Sequence, residues 1–454
     1  MRAPRSKAFL RAVAGAVGLH LLAACLGDPD GVPGEAPPSD GRRTSSALSW
    51  IEAKDIVPPD NVAPRAFGRS IVTTPTRVLA GDTTTKSIYL FAPAPGAQWQ
   101  HEATITRTDG RAFVVRAATA DAIFVQAAPL SGSAASIVSV YTAGSAGFTF
   151  AQDLANDASD RQQVGASLAV DGTTLAVGAP HDGAGQGSVF MYARSATGTW
   201  APTETIVPPE AMTRTNAFGY AVAMSNGLLA VGSYEEDVAN GAAYVYEKGA
   251  AGWGAGQRLS FSEGGAHGLT LCFADEVLAV GRDARFPPQT YAAALFRKGA
   301  TGYAPAGVLE PYAAGDQPVL LCDAGRIALV TPGAGVNLFS PSGAGWVLEA
   351  LPLPADTAGM RKEAFAFRGD RIFASNSNVI HVLRHAITKG QPCTAADSCI
   401  SGYCVDGVCC ENDCGGSDET DCRACAVAAG ARADGLCTPV ATGHVCRLAK
   451  GACD

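Results

Sequence analysis

The chain has 454 residues and carries 34 Lys and Arg against 42 Asp and Glu, a net charge of −8. An acidic chain with no basic run interleaved with aromatics excludes nucleic acid and anionic lipid faces as natural partners. Eleven of its 14 cysteines crowd into residues 393–453, the pattern by which exported chains staple a module too small for a core of its own.

In chain order, Arg2, Arg5, Lys7 and Arg11 precede an apolar stretch from Ala12 to Ala24. That order is a secretory signal, and the stretch is too short to span a bilayer. It ends in Leu22-Ala23-Ala24-Cys25, which resembles the lipobox of bacterial lipoproteins. The resemblance implies removal of residues 1–24 and a diacylglycerol on the Cys25 thiol, so the chain is held to a membrane by its N-terminal lipid. Leu26, where inner-membrane retention in Gram-negative sorting uses Asp, implies the outer membrane or the cell surface. Residues 25–46 are rich in Pro, Gly, Asp and Ser with almost no large apolar side chain, which predicts a flexible tether.

From there a unit of about fifty residues recurs. Its second strand reads Arg77-Val-Leu-Ala-Gly81, Ala122-Ile-Phe-Val125, Leu175-Ala-Val-Gly178, Leu229-Ala-Val-Gly232, Leu278-Ala-Val-Gly281, Ile327-Ala-Leu-Val330 and Ile372-Phe-Ala374. An aromatic opens the fourth strand at Trp99, Phe148, Trp200, Trp253, Tyr303 and Trp346. The seventh unit stops after Val379-Ile-His-Val-Leu383 without one. Its counterpart stands at the other end of the repeats, where Trp50-Ile-Glu-Ala-Lys-Asp-Ile-Val-Pro-Pro-Asp60 matches Trp200-Ala-Pro-Thr-Glu-Thr-Ile-Val-Pro-Pro-Glu210. Seven four-stranded units with one strand displaced to the start predict an all-β, seven-bladed β-propeller over residues 47–385, closed by its N-terminal strand.

These units resemble FG-GAP repeats, the blades of the integrin α-subunit head and of many bacterial surface proteins. Phe67-Gly68 and Phe218-Gly219 supply the first half of that name and Gly178-Ala179-Pro180 the second. The first half becomes Val164-Gly165 in the third unit and is lost in the second, sixth and seventh. In that family calcium is often held by an Asp-x-Asp-x-Asp-Gly loop between the first two strands. Here the corresponding turns are Asp171-Gly172, Asn226-Gly227, Asp275-Glu276, Ala324-Gly325 and Gly369-Asp370. Such short hairpin turns cannot wrap a cation that needs six to eight oxygens, so no cofactor is expected from the resemblance. A looser oxygen cluster, Glu235, Glu236 and Asp237 with Asn240, is the one weak metal candidate, read first as solvated charge.

Other motifs have plain readings. Arg368-Gly369-Asp370 spells an integrin-recognised tripeptide, but Gly-Asp stands where the seventh blade needs a turn. Cys272 and Cys322 occupy equivalent innermost-strand sites of adjacent blades. They are read as two buried small residues in preference to a disulfide, which would need Cα atoms within about 7 Å. Residues 386–392 form a linker to a disulfide-rich module, 393–454. Five bridges are expected among Cys393, Cys399, Cys404, Cys409, Cys410, Cys414, Cys422, Cys425, Cys437 and Cys446, with Cys453 left over. Zinc on Cys422 and Cys425 is the weaker alternative, for want of a second spaced pair. The odd thiol means either that the natural module continues beyond Asp454 or that Cys453 bonds another chain.

No catalytic motif is present: the seven His are scattered, and there is no Gly-x-Ser-x-Gly elbow, His-Glu-x-x-His or phosphate-binding Gly loop. The expected function is therefore binding or adhesion to an extracellular or periplasmic protein or glycan, without chemistry. Two alternatives stay open. A glycan-active enzyme would show paired carboxylates converging on the axial mouth. A scaffold of an envelope complex would show one broad apolar patch.

Overall fold

The computed structural model describes residues 48–59, 66–94, 98–109, 111–129, 135–145, 147–158, 163–209, 216–261, 265–283, 292–310, 319–343, 345–394, 396–414 and 423–440. The signal, Cys25, the tether, Cys422, Cys446 and Cys453 lie outside them.

Seven antiparallel sheets form the ring. The innermost strands are Ser70–Thr74, Arg111–Ala118, Ser167–Asp171, Phe218–Ser225, Thr270–Ala274, Val319–Asp323 and Phe365–Arg368. Each touches the innermost strand of the blade on either side, the last meeting the first. Second strands are buried along their whole length, as at Thr174–Ala179 and Leu228–Ser233, because both of their faces meet neighbouring blades. That double burial is why Leu-Ala-Val-Gly appears as an unbroken apolar run rather than an alternation. Outer strands have one wet side, and Trp200–Ile206 is buried only at its two ends.

The core is divided among the joints between blades. Phe124 and Val140 of the second blade pack with Leu175, Val177, Tyr192 and Trp200 of the third. Met191 of the third packs with Phe218, Leu229 and Tyr244 of the fourth. Both faces of a blade are therefore removed from water, and the area so buried supplies the main drive to close the ring.

The two halves of the repeat name meet at one such joint. Phe218 is fully buried against Tyr244, with ring centroids 5.6 Å apart. Gly219 has φ of +87°, and a β-carbon there would stand 2.6 Å from the Ser188 carbonyl oxygen of the preceding blade. A β-carbon on Gly178, the glycine of Gly-Ala-Pro, would in turn collide with the Gly219 carbonyl. In the fifth blade the aromatic slot belongs to His267: Gly241 bridges to His267 in parallel, as Gly187 does to Phe218. His267 is wholly buried and stacks on Phe261 at 3.9 Å.

Closure occurs in the seventh blade. Leu48–Glu52 runs antiparallel to the strand Ile380–Ile387, from Leu48 opposite Ile387 to Glu52 opposite Leu383. Ile56 then bridges to Ile380. Trp50 packs on the apolar cluster of Phe365, Ile372 and Leu383, the place its equivalents take in other blades.

Four details differ from expectation. The third blade's turn falls one residue later, at Gly172-Thr173, because Asp171 pairs with Thr174. The fourth blade's outer strand is broken into Gly252–Trp253 and Gln257–Arg258, with Gly254 and Gly256 between the pieces. The propeller's last strand continues to Ile387, and the stem is bonded rather than free: the Gly390 amide donates to the Cys409 carbonyl at 2.8 Å. The module thus docks on the seventh blade, where Arg384 donates to the Cys399 carbonyl at 2.9 Å.

The fourth difference is Cys272 and Cys322, which are joined, with Cα atoms 5.6 Å apart. Reading them as separate small residues overlooked how closely neighbouring innermost strands converge near the axis. In the module, Cys393 bonds Cys404, Cys399 bonds Cys409, Cys410 bonds Cys425 and Cys414 bonds Cys437.

Candidate binding site at the mouth of the ring

The seven innermost strands leave an axial cavity of about 420 Å³, walled by aliphatic side chains such as Val72, Leu168, Val222 and Leu321. A second cavity of about 410 Å³ is lined by Arg69, Arg116, Met360, Arg361, Glu363 and Ser377, among others. Arg116 and Glu363 line both.

Local backbone geometry brings these charges together. A bulge between Val115 and Ala117 turns Arg116 out of the register of its strand. Its guanidinium donates twice to Gln126 Oε1, at 3.2 and 2.7 Å, and once to Glu363 Oε1 at 2.7 Å. Glu363 belongs to the single 3-10 turn Lys362–Ala364 that enters the seventh blade. Lys362 lies over the Tyr220 ring at 4.9 Å, and Tyr220 and Tyr234 are 4.4 Å apart.

The electrostatics follow from this crowding. Burial pushes the Lys362 ammonium down to about 8; Glu363 opposes that shift and Arg116 adds to it. Burial works to raise Glu363, but Arg116 and Lys362 outweigh it and hold the carboxyl below its ordinary range. Burial raises the Tyr220 hydroxyl, Glu363 adds to the rise, and Arg116 and Arg361 oppose it. Arg69 and Arg361 are exposed and have no carboxylate partner among the described residues. Among the described residues, Arg69, Arg116, Arg361, Lys362 and Glu363 therefore meet at this end of the axis, with Asp283 acting on Tyr220 from nearby.

The oxygen cluster singled out in the sequence is not gathered around one point. Glu236 is buried and engaged: it accepts from Tyr244 Oη at 2.9 and 2.8 Å and from Arg258 Nε at 2.9 Å. Glu235 accepts from Tyr234 Oη at 2.6 Å, while Asp237 and Asn240 face solvent. Among the described residues, the one group of three or more metal-capable side chains is Cys393, Cys399 and Cys409, whose sulfurs are in disulfides. Glu236 is thus the buried acceptor of a tyrosine and an arginine, in place of the solvated charge that the sequence suggests.

The opposite end of the ring explains Arg368-Gly369-Asp370. Asp323 Oδ2 accepts from the Gly369 amide at 2.6 Å, Arg368 lies 3.4 Å from the same carboxylate, and Asp370 pairs with Arg371 at 3.1 Å. Arg326 also donates to the Gly369 carbonyl. The same device joins the third and fourth blades, where Asp171 accepts from the Gly227 amide at 2.9 Å. An aspartate ending one innermost strand thus fastens the turn of the next blade.

The mouth was missed in the sequence because it draws on Arg69, Arg116, Lys362 and Tyr220, which no local motif connects. The one available signal was Arg361-Lys362-Glu363, a charged triplet just before an innermost strand.

The family described as FG-GAP repeat matches residues 200–246. That stretch runs from the outer strand of the third blade through the first three strands of the fourth, the same permutation that places Trp50 ahead of the first blade. No curated protein matches the sequence. Among solved structures, the WD40 domain of Toxoplasma gondii coronin is similar in fold at a TM-score of 0.50 and 11% identity, over 78% of this chain and 90% of that one. A chain of the crystallised mitotic checkpoint complex gives 0.48 and 15% over 81% and 99%. No helix among the described residues is long and apolar enough to cross a membrane. The chain is a seven-bladed β-propeller carrying an FG-GAP repeat, with a disulfide-bonded cysteine-rich module at its C-terminal end.

Proposed function

We propose that this chain is a cell-envelope lipoprotein, anchored through Cys25, whose propeller binds a protein or glycan outside the cytoplasm. The observation that carries the reading is the cavity of about 410 Å³ at the ring's mouth, whose lining includes Arg69 and Arg361, exposed cations with no carboxylate partner among the described residues. The five disulfides fit an oxidising compartment. Weighing against the glycan-cleaving alternative, the carboxylates that line the two cavities, Asp323 and Glu363, are both committed to arginines. Weighing against the scaffold alternative, the exposed large apolar side chains Phe150, Val308 and Val347 lie on outer strands of three different blades. The test is capture from envelope extract and on a glycan array by the chain from residue 26 onward. A specific ligand is the expected result, and no ligand in either format refutes the reading.

A further inference from the structure

We infer that the pocket at the mouth is a subsite for an acidic sugar, a ring bearing one carboxylate and several hydroxyls. The inference rests on the binding reading and narrows it to one site and one ligand class. Three cations, Arg69, Arg116 and Arg361, line it, and Lys362 stands on the adjoining axial cavity, in a chain whose net charge is −8. Fold requirements account for only part of them. Arg116 is fixed by Gln126 and Glu363, whereas Arg69 and Arg361 hold no acid among the described residues. Concentrating unpaired like charge costs stability unless an anion enters, and Arg forks present paired donors to a carboxylate.

Glu363 selects among anions. Its carboxylate stays ionised between Arg116 and Lys362. It repels a dianion such as phosphate more than a monoanion and offers an acceptor to a ligand hydroxyl. Ser377 on the same lining adds a hydroxyl partner. The volume, about 410 Å³, lies within the range of small-ligand clefts. Cations to hold one carboxylate, with an acceptor and a hydroxyl for the ring's own hydroxyls, together describe a uronate.

The experiment titrates the chain from residue 26 onward with glucuronate and galacturonate oligosaccharides, with glucose oligosaccharides, and with sodium sulfate, read by calorimetry. Saturable uronate binding that weakens with salt is expected, with no heat from neutral sugar. Arg69→Glu and Arg361→Glu alter exposed side chains, so melting should hold while uronate affinity falls at least tenfold. Absence of uronate binding overturns the inference, as does sulfate binding of equal affinity, which marks a generic anion site. A captured ligand whose binding survives both substitutions overturns the pocket and leaves the broader binding reading standing, whereas a chain that captures nothing overturns that reading itself.

Discussion

Ile56 and Ile380 exchange both of their backbone hydrogen bonds, each at 2.9 Å, and so fasten the start of the propeller to its last blade. Ile56 is buried beside Phe67, Phe373 and Ile380, so the fastening has an apolar component as well. Ile56→Ala should cost about 2–5 kcal/mol. Deleting residues 48–59 should leave the strand Ile380–Ile387 with an open edge and drive self-association. Urea titration and light scattering check the two; a monomeric deletion variant of unchanged stability would contradict strand closure.

The Phe-Gly half of the motif predicts that its glycine costs more to replace than a turn glycine does, for the same chemical change. Gly172 and Gly219 both have positive φ, at +56° and +87°, but only at Gly219 would a β-carbon meet backbone of the preceding blade. Gly172→Ala should cost about 1–2 kcal/mol for the left-handed conformation alone. Gly219→Ala should cost roughly 3–5 kcal/mol, because the joint must also open. Equal losses in urea midpoint would show that the joint is not the reason for the motif.

Glu236 is read as a structural acceptor, not a metal ligand. Removing its charge with Glu236→Gln should cost about 1–3 kcal/mol, since Tyr244 and Arg258 lose a charged partner within a buried network. Calcium should leave the melting temperature of both proteins unchanged. A calcium-dependent rise in the unsubstituted chain that Glu236→Gln abolishes would restore the metal reading.

The mouth should leave a mark on the pH dependence of stability. Lys362 is pushed from 10.5 down to about 8 on folding. Between those values the unfolded chain holds a proton that the folded chain has released, so this group makes stability rise with pH across that window. Glu363 acts at the other end: its depressed pKa contributes stability above the ordinary carboxylate range, lost as pH falls through the folded value. Lys362→Met should remove the alkaline rise and, by taking away one of the cations that depress Glu363, shrink the acid limb; Glu363→Gln should remove the acid limb and, by taking away the acid that opposes the Lys362 shift, enlarge the alkaline rise. Denaturation midpoints from pH 3 to 10.5 read both; matching profiles for all three proteins would remove the electrostatic account of the mouth.

The seven blades were legible because repetition makes each second strand evidence for the others, and because Trp50 carried the signature of a strand whose blade lay at the far end. What escaped was what depends on neighbours around the axis. His267 stands in an aromatic slot that no spelling of Phe-Gly reveals, and it is recognised only by its bridge to Gly241. Arg116 reaches Glu363 because a bulge re-aims it. The stem after the last strand had the composition of a linker, yet its backbone groups are paired with the module. Periodicity encodes which face a strand buries; it carries nothing about which distant side chain meets it at the centre of the ring.

Cysteine pairing gives the last prediction. The bridge between Cys272 and Cys322 spans 50 residues and joins the innermost strands of adjacent blades. Constraining a loop of that length in the unfolded chain stabilises by about 4 kcal/mol on the chain-entropy account. Cys272→Ser with Cys322→Ser should therefore lower the urea midpoint, and adding reductant to the double variant should produce a smaller further loss than in the unsubstituted chain. In the module, the four bridges use Cys393, Cys399, Cys404, Cys409, Cys410, Cys414, Cys425 and Cys437. If the ten cysteines from Cys393 to Cys446 pair among themselves, Cys422 is left for Cys446 and Cys453 remains over. Peptide mapping of the oxidised chain from residue 26 onward under non-reducing conditions, with alkylation of free thiols before digestion, should recover these pairs and label Cys453 alone. Label on Cys272 and Cys322, or Cys453 recovered in an intrachain bridge, would show that the pairing scheme is wrong.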